Sequence, residues 1–116
     1  MNQKVQELRS EIALLDLRVT EIQSLQHIVK VKIIEVQNNS TAKLEKVRIL
    51  TETKMADLHE NHPKHKIVAE KLAEMKSLSD QRVNVIKAEY DGYQDQIDTL
   101  NEKSAALTKE MLKLID

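Results

Sequence analysis

Cysteine, tryptophan and phenylalanine are absent from this 116-residue chain, and glycine and proline occur once each, as Gly92 and Pro63. Without cysteine there is no disulfide, no thiolate nucleophile and no cysteine-ligated zinc. A single glycine cannot serve the turns of a many-stranded sheet. Aromatic residues reduce to Tyr90 and Tyr93, so no thick globular core is being filled. Long apolar runs are missing too. Uncharged stretches such as Ile22 to Val29 are far shorter than the roughly 20 residues of a membrane-spanning helix. The opening Met1-Asn2-Gln3-Lys4 lacks the apolar run of a secretory signal, so the expected location is intracellular, in the cytoplasm.

The charge balance is equally neutral in what it offers. The formal net charge is −1, which leaves no basic surface for bulk nucleic-acid or membrane binding. No glycine-rich loop is present to cradle phosphate, and no serine–histidine–acid arrangement is readable. The expectation is a protein that is not an enzyme, with no cofactor, no metal and no small-molecule substrate.

What is present is helix-forming sequence. Charged residues make up 32% of the chain, and Leu, Ile, Val, Lys, Glu and Gln dominate around them. Pro63 lies near the midpoint. It cannot continue a helix from before it but fits the first position of a new one. One helical arm is therefore expected over 2–59, a turn over 60–62 and a second arm over 63–116.

In the first arm, Val5, Leu8, Ile12, Leu15, Val19, Ile22, Val29, Ile33 and Val36 step by three and four, with Gln26 in the one missing slot. This heptad seam calls for a partner helix. Ser40 and Lys43 interrupt it, and Leu44, Val47, Leu50, Met55 and Leu58 resume it. In the second arm the seam runs Leu114, Met111, Leu107, Ser104, Leu100, Ile97, Tyr93, Tyr90, Ile86 and Val83. It then slips to Leu78, Met75, Leu72 and Val68. Folding the chain about Asn61 brings the polar interruptions to one height, with Ser40 and Lys43 near Arg82 and Ser79, and Gln26 near Gln96. The expected fold is all-α: a long antiparallel helical hairpin, a coiled coil. Breaks are allowed at 38–41 and 77–81, where polar residues favour caps. Gly92, facing Lys30 in this register, suggests a close approach or a kink.

A second stripe of Leu14, Leu17, Leu25, Ile28, Val31 and Ile34 lies beside the first-arm seam. One partner helix cannot cover both. This stripe is the expected self-association face, dimerising two hairpins into a four-helix bundle.

A rival reading exists for residues 29–53. Val29, Val31 and Ile33 alternate with Lys30 and Lys32, which is a strand period, and β-branched residues favour strands. Helix–β-hairpin–helix would resemble the prefoldin β-type subunit in length and element order. That resemblance implies a holdase chaperone, although the glycine-containing hairpin signature of the family is missing here.

The turn gathers Lys54, His59, His62, Lys64, His65 and Lys66, a possible partner-binding tip. Three histidines spaced by three could share a metal, but Pro63 interrupts them, and a solvated turn with His62 as helix cap is the plainer expectation. The lysines also admit a nucleic-acid-associated or inhibitory role for the tip, without the interleaved aromatics that base stacking needs. The leading functional expectation is a structural or adaptor protein acting through protein–protein association.

Overall fold

The computed structural model describes residues 2–115, and among these the chain is entirely α-helix and turn. Helix α1 spans Asn2–Met55 and helix α2 spans Pro63–Ile115, a helical hairpin with no strand among the described residues. The β-hairpin alternative over 29–53 is thereby overturned, and with it the layout that resembled prefoldin. The physical reason is phase. Val29 is buried, and Ile33, Val36 and Val47 are half-buried on the seam, while Lys30 and Lys32 stay exposed. Burying that stripe outweighs helix-propensity losses of a few tenths of a kcal/mol per β-branched residue.

The helices also run unbroken through 38–41 and 77–81, where breaks were allowed. Thr41 shows how a cap-favouring residue sits inside a helix. Its hydroxyl donates to the Gln37 carbonyl at 2.9 Å, and Thr51 and Thr53 bond Val47 and Ile49 in the same way. Such back-bonding satisfies the side chain without opening the helix.

At the reversal, α1 ends at Met55, four residues before His59. His59 is used in a tight turn of its own, closed by the His62 amide on the His59 carbonyl at 2.9 Å. The last turn before it tightens, with the Leu58 amide on the Met55 carbonyl at 3.0 Å. His62 caps α2 as expected. Its Nδ1 accepts the Lys64 amide at 3.2 Å, and Pro63 takes the first helical position.

The chain divides into two compact units. The open-end unit comprises Met1–Lys30 and Ala88–Asp116, and the turn unit comprises Val31–Lys87. In the open-end unit the seam reads as the sequence does. Leu8, Val19, Ile22, Val29 and Ile97 are buried, and Val19, Ile22 and Ile97 form a cluster against which Tyr93 and Leu100 pack. Val5, Ile12, Leu15, Tyr90, Leu107, Met111 and Leu114 are half-buried on the same spacing.

Polar side chains fix the register there. Gln26 Nε2 donates to Gln94 Oε1 at 2.8 Å, and Gln94 Nε2 donates to Asp98 Oδ1 at 3.0 Å. Ser104 Oγ donates to Asp16 Oδ1 at 3.3 Å. Gln26 therefore meets Gln94, not Gln96. Both interhelical pairs are centred on residue 60 in sequence, because the turn pivots one residue earlier than Asn61. A Cβ built on Gly92 has nothing within 4 Å, so the close approach inferred from sequence is not there.

In the turn unit the seam is half-buried throughout and its spacing changes. On α1 it runs Val36, Ser40, Leu44, Val47, Thr51 and Met55, with Leu58 just past the helix end, and on α2 His65, Val68, Leu72, Met75, Ser79, Val83 and Ile86. Leu50 and Leu78, assigned to the seam by their apolar character, are 52% and 58% exposed, and Lys43 is also exposed. Thr51 takes the inward place of Leu50, and Ser79 that of Leu78. The cause is helix geometry. Steps of four and four, inserted into a three–four pattern, follow a 3.6-residue turn more closely than a strict heptad does. Ser40, Lys43, Ser79 and Arg82 do come together, lining a shallow groove with Leu44, Met75 and Leu78.

Candidate association surfaces

Two surfaces were singled out by sequence, the apolar stripe of α1 and the turn. In the open-end unit Leu14, Leu17, Leu25 and Ile28 all project from α1 into solvent, between 43% and 66% exposed. In the turn unit Val31 and Ile34 do the same at 41% and 46%. Leu14, Leu17, Leu25 and Ile28 fall within about 80° of one another around α1 and so escape the seam together, whereas the successive steps of three to Val31 and Ile34 do not keep to that side. Glu21 lies among the open-end members and pairs with Arg18 at 3.3 Å, both side chains more than half exposed. That pair is a solvated rim contact and contributes little to stability.

The turn residues divide by environment. Lys54, Lys64, Lys66 and His59 are exposed, with His59 Nδ1 accepting the Asn61 amide at 3.2 Å. His62 is occupied by the cap. His65 turns inward, and its Nε2 is buried without a hydrogen-bond partner. The six residues therefore do not form one presented surface, since His62 is taken up by the cap and His65 faces inward. Among the described residues no group of three or more His, Asp or Glu side chains is placed to hold a metal ion. No helix among them is long and apolar enough to cross a membrane.

The turn unit carries two open grooves that sequence reasoning did not foresee. One, about 420 Å³, runs past Met55, Leu58, His65, Val68 and Ala69. The other, about 440 Å³, runs past Thr41, Leu44, Ala73 and Lys76. Arg48 and Leu72 line both. Small side chains at Ala69 and Ala73 leave this space, where larger ones would have filled the helix–helix gap. Arg48 stands at the rim between two carboxylates, bonded to Glu45 and to Glu52 Oε1 at 2.6 Å. Its hydrogen bond holds the Glu45 carboxyl below the usual carboxylate range, and the two acids raise the guanidinium further. The spacings 45–48 and 48–52 are those of neighbouring positions on a helix surface.

The polar pins of the open-end unit were only half legible. Gln26 stood out as a gap in an apolar series and Ser104 as a polar position in the α2 seam, but Gln94, Asp98 and Asp16 carried no signal of their own. Comparison with protein families, with curated proteins and with solved structures finds no significant match to this chain.

Proposed function

We propose that this chain is a non-enzymatic structural or adaptor protein of the cytoplasm, a coiled-coil hairpin that self-associates and binds other proteins through its helical surface. The observation that carries this reading is the row of large aliphatic side chains on α1, all more than 40% exposed and covered by nothing in the single chain. Leu14, Leu17, Leu25 and Ile28 share one side of α1 within the open-end unit, and exposed apolar patches of that kind mark association sites. The thin core supports the same reading. Five apolar residues are buried below a tenth of their surface among the described residues, which is modest for a chain of this length. A second copy of α1 laid on the row would double the apolar layer and complete a four-helix bundle.

Sedimentation equilibrium tests this directly. The wild-type chain is expected at twice the monomer mass or more. Leu25→Glu with Ile28→Glu is expected to give a monomer that keeps its helical circular dichroism, since neither residue contributes to the seam. A wild-type monomer at all concentrations would contradict the proposal. So would a dimer indifferent to both substitutions.

A further inference from the structure

We propose that two open-end units pair through α1, antiparallel about Glu21, with Leu14 of one copy on Ile28 of the other and Leu17 on Leu25. This rests on the self-association reading above and adds its orientation and register.

Four exposed aliphatics and one acid make up the α1 row of the open-end unit. In order they are Leu14, Leu17, Glu21, Leu25 and Ile28, separated by steps of three, four, four and three. The spacing reads the same from either end. The exposures mirror it. Leu14 and Ile28, at the ends, project most, at 66% and 63%, and Leu17 and Leu25 project less, at 56% and 43%. A parallel two-fold pair sets every residue against its own copy, so any spacing would serve it. Only an antiparallel pair requires a row to match its own reverse. Turned end for end about Glu21, this row does so: Leu14 meets Ile28, Leu17 meets Leu25, and all four aliphatics of each copy meet aliphatics of the other. Antiparallel helices also oppose their backbone dipoles, which parallel neighbours align.

Glu21 stands at the centre and meets its own copy. It brings its counter-ion with it, since Arg18 bonds its carboxylate at 3.3 Å. Two guanidiniums and two carboxylates at the centre carry no net charge. Both side chains are more than half exposed, so their stems lie along the aliphatics while their ends reach water.

The wider field favours this side of the unit. Residues 1–30 hold Lys4, Arg9, Arg18 and Lys30 against Glu7, Glu11, Asp16 and Glu21, an even balance. The acidic excess of the unit lies in 88–116, where three lysines stand against seven acids. A second copy laid with its α2 on this α2 would meet like charge, whereas α1 on α1 brings two neutral surfaces together.

With no native cysteine, one introduced thiol is the only labelling site. Ser10 lies just before the row and Ser24 beside it, and both are exposed. A spin label on Ser10→Cys in the full chain should report an intermolecular separation of about 35 Å, because residue 10 of each copy is eleven residues from the centre and each residue advances 1.5 Å. A short thiol cross-linker should join Ser24→Cys copies, three residues from the centre, and leave Ser10→Cys copies unjoined. Ser10 labels under about 20 Å apart, with Ser10→Cys copies joined, would show a parallel dimer and overturn the orientation alone. A dimer mass with Ser24→Cys copies unjoined would place the contact away from this row and overturn the register. A monomer mass with no intermolecular coupling would overturn the self-association reading as well.

Discussion

The two units of this hairpin use the same kind of sequence to different effect. In the open-end unit a strict three–four spacing buries Leu8, Val19, Ile22, Val29 and Ile97, and two interhelical hydrogen-bonded pairs pin the register. In the turn unit the spacing relaxes to three–four–four, the seam stays half-buried, and two open grooves run beside Leu72. The difference shows what an inward residue needs. Regular spacing lets large aliphatics from both helices interdigitate, while a shifted phase turns Ser40, Thr51 and Ser79 inward and leaves Leu50 and Leu78 outside. Stability should therefore be concentrated at the open end and adaptability near the turn.

The sharpest way to break this contrast is to cut matched holes in each unit. Ile22→Ala removes a fully buried side chain and should cost about 3 kcal/mol of unfolding free energy in urea titrations. Leu72→Ala borders an existing groove and half-exposed neighbours, so the site can relax, and its cost should be nearer about 1 kcal/mol. Equal costs would erase the distinction between the units.

A smaller effect probes the pins. Gln26→Ala leaves the Gln94 amide without its interhelical partner and should cost about 1–2 kcal/mol. Replacing Gln26 and Gln94 together by leucine should recover that loss, at the expense of a less unique register. A double-mutant cycle checks it, and additive losses would show that the two amides are not coupled.

At the turn, His62→Ala removes the cap on α2 and should cost about 1 kcal/mol, while His62→Asn should restore most of it. Thermal melts followed by circular dichroism suffice, and an unchanged His62→Ala would mean the Nδ1 contact carries no weight. Gly92→Ala runs the other way. With open space around the new methyl, it should stabilise the open-end unit by about 1 kcal/mol.

The smallest effect is that of pH on the Arg48 triad. Glu45 is held below the usual carboxylate range, so its pairing is fully present above that range and lost as pH falls through the lowered value. The triad is exposed, so added salt should flatten the dependence of helix content on acid.

Much of this architecture was legible in the sequence. The α1 seam from Val5 to Val36, the α2 seam from Val83 to Leu114, the cap at His62 and the exposed row from Leu14 to Ile28 all follow from apolar spacing and one proline. The rest was hidden for identifiable reasons. A heptad extended by residue type favours Leu50 and Leu78, whereas the backbone rotates about 100° per residue whatever it carries and brings Thr51 and Ser79 inward. The end of α1 at Met55 depends on a turn that uses His59, which no spacing rule reveals. The grooves arise from Ala69 and Ala73, and small residues read as helix formers before they read as gaps.

Native-state hydrogen exchange, resolved along the chain, addresses the central contrast most directly. Amides from Leu15 to Lys30 and from Tyr90 to Ser104 are expected to exchange slowest, with those from Leu44 to Met55 and Val68 to Ser79 faster by an order of magnitude or more, since about 1.4 kcal/mol of opening energy separates rates tenfold. Uniform protection in both units, or slower exchange beside the grooves than beside Ile22, would contradict a hairpin held chiefly at its open end.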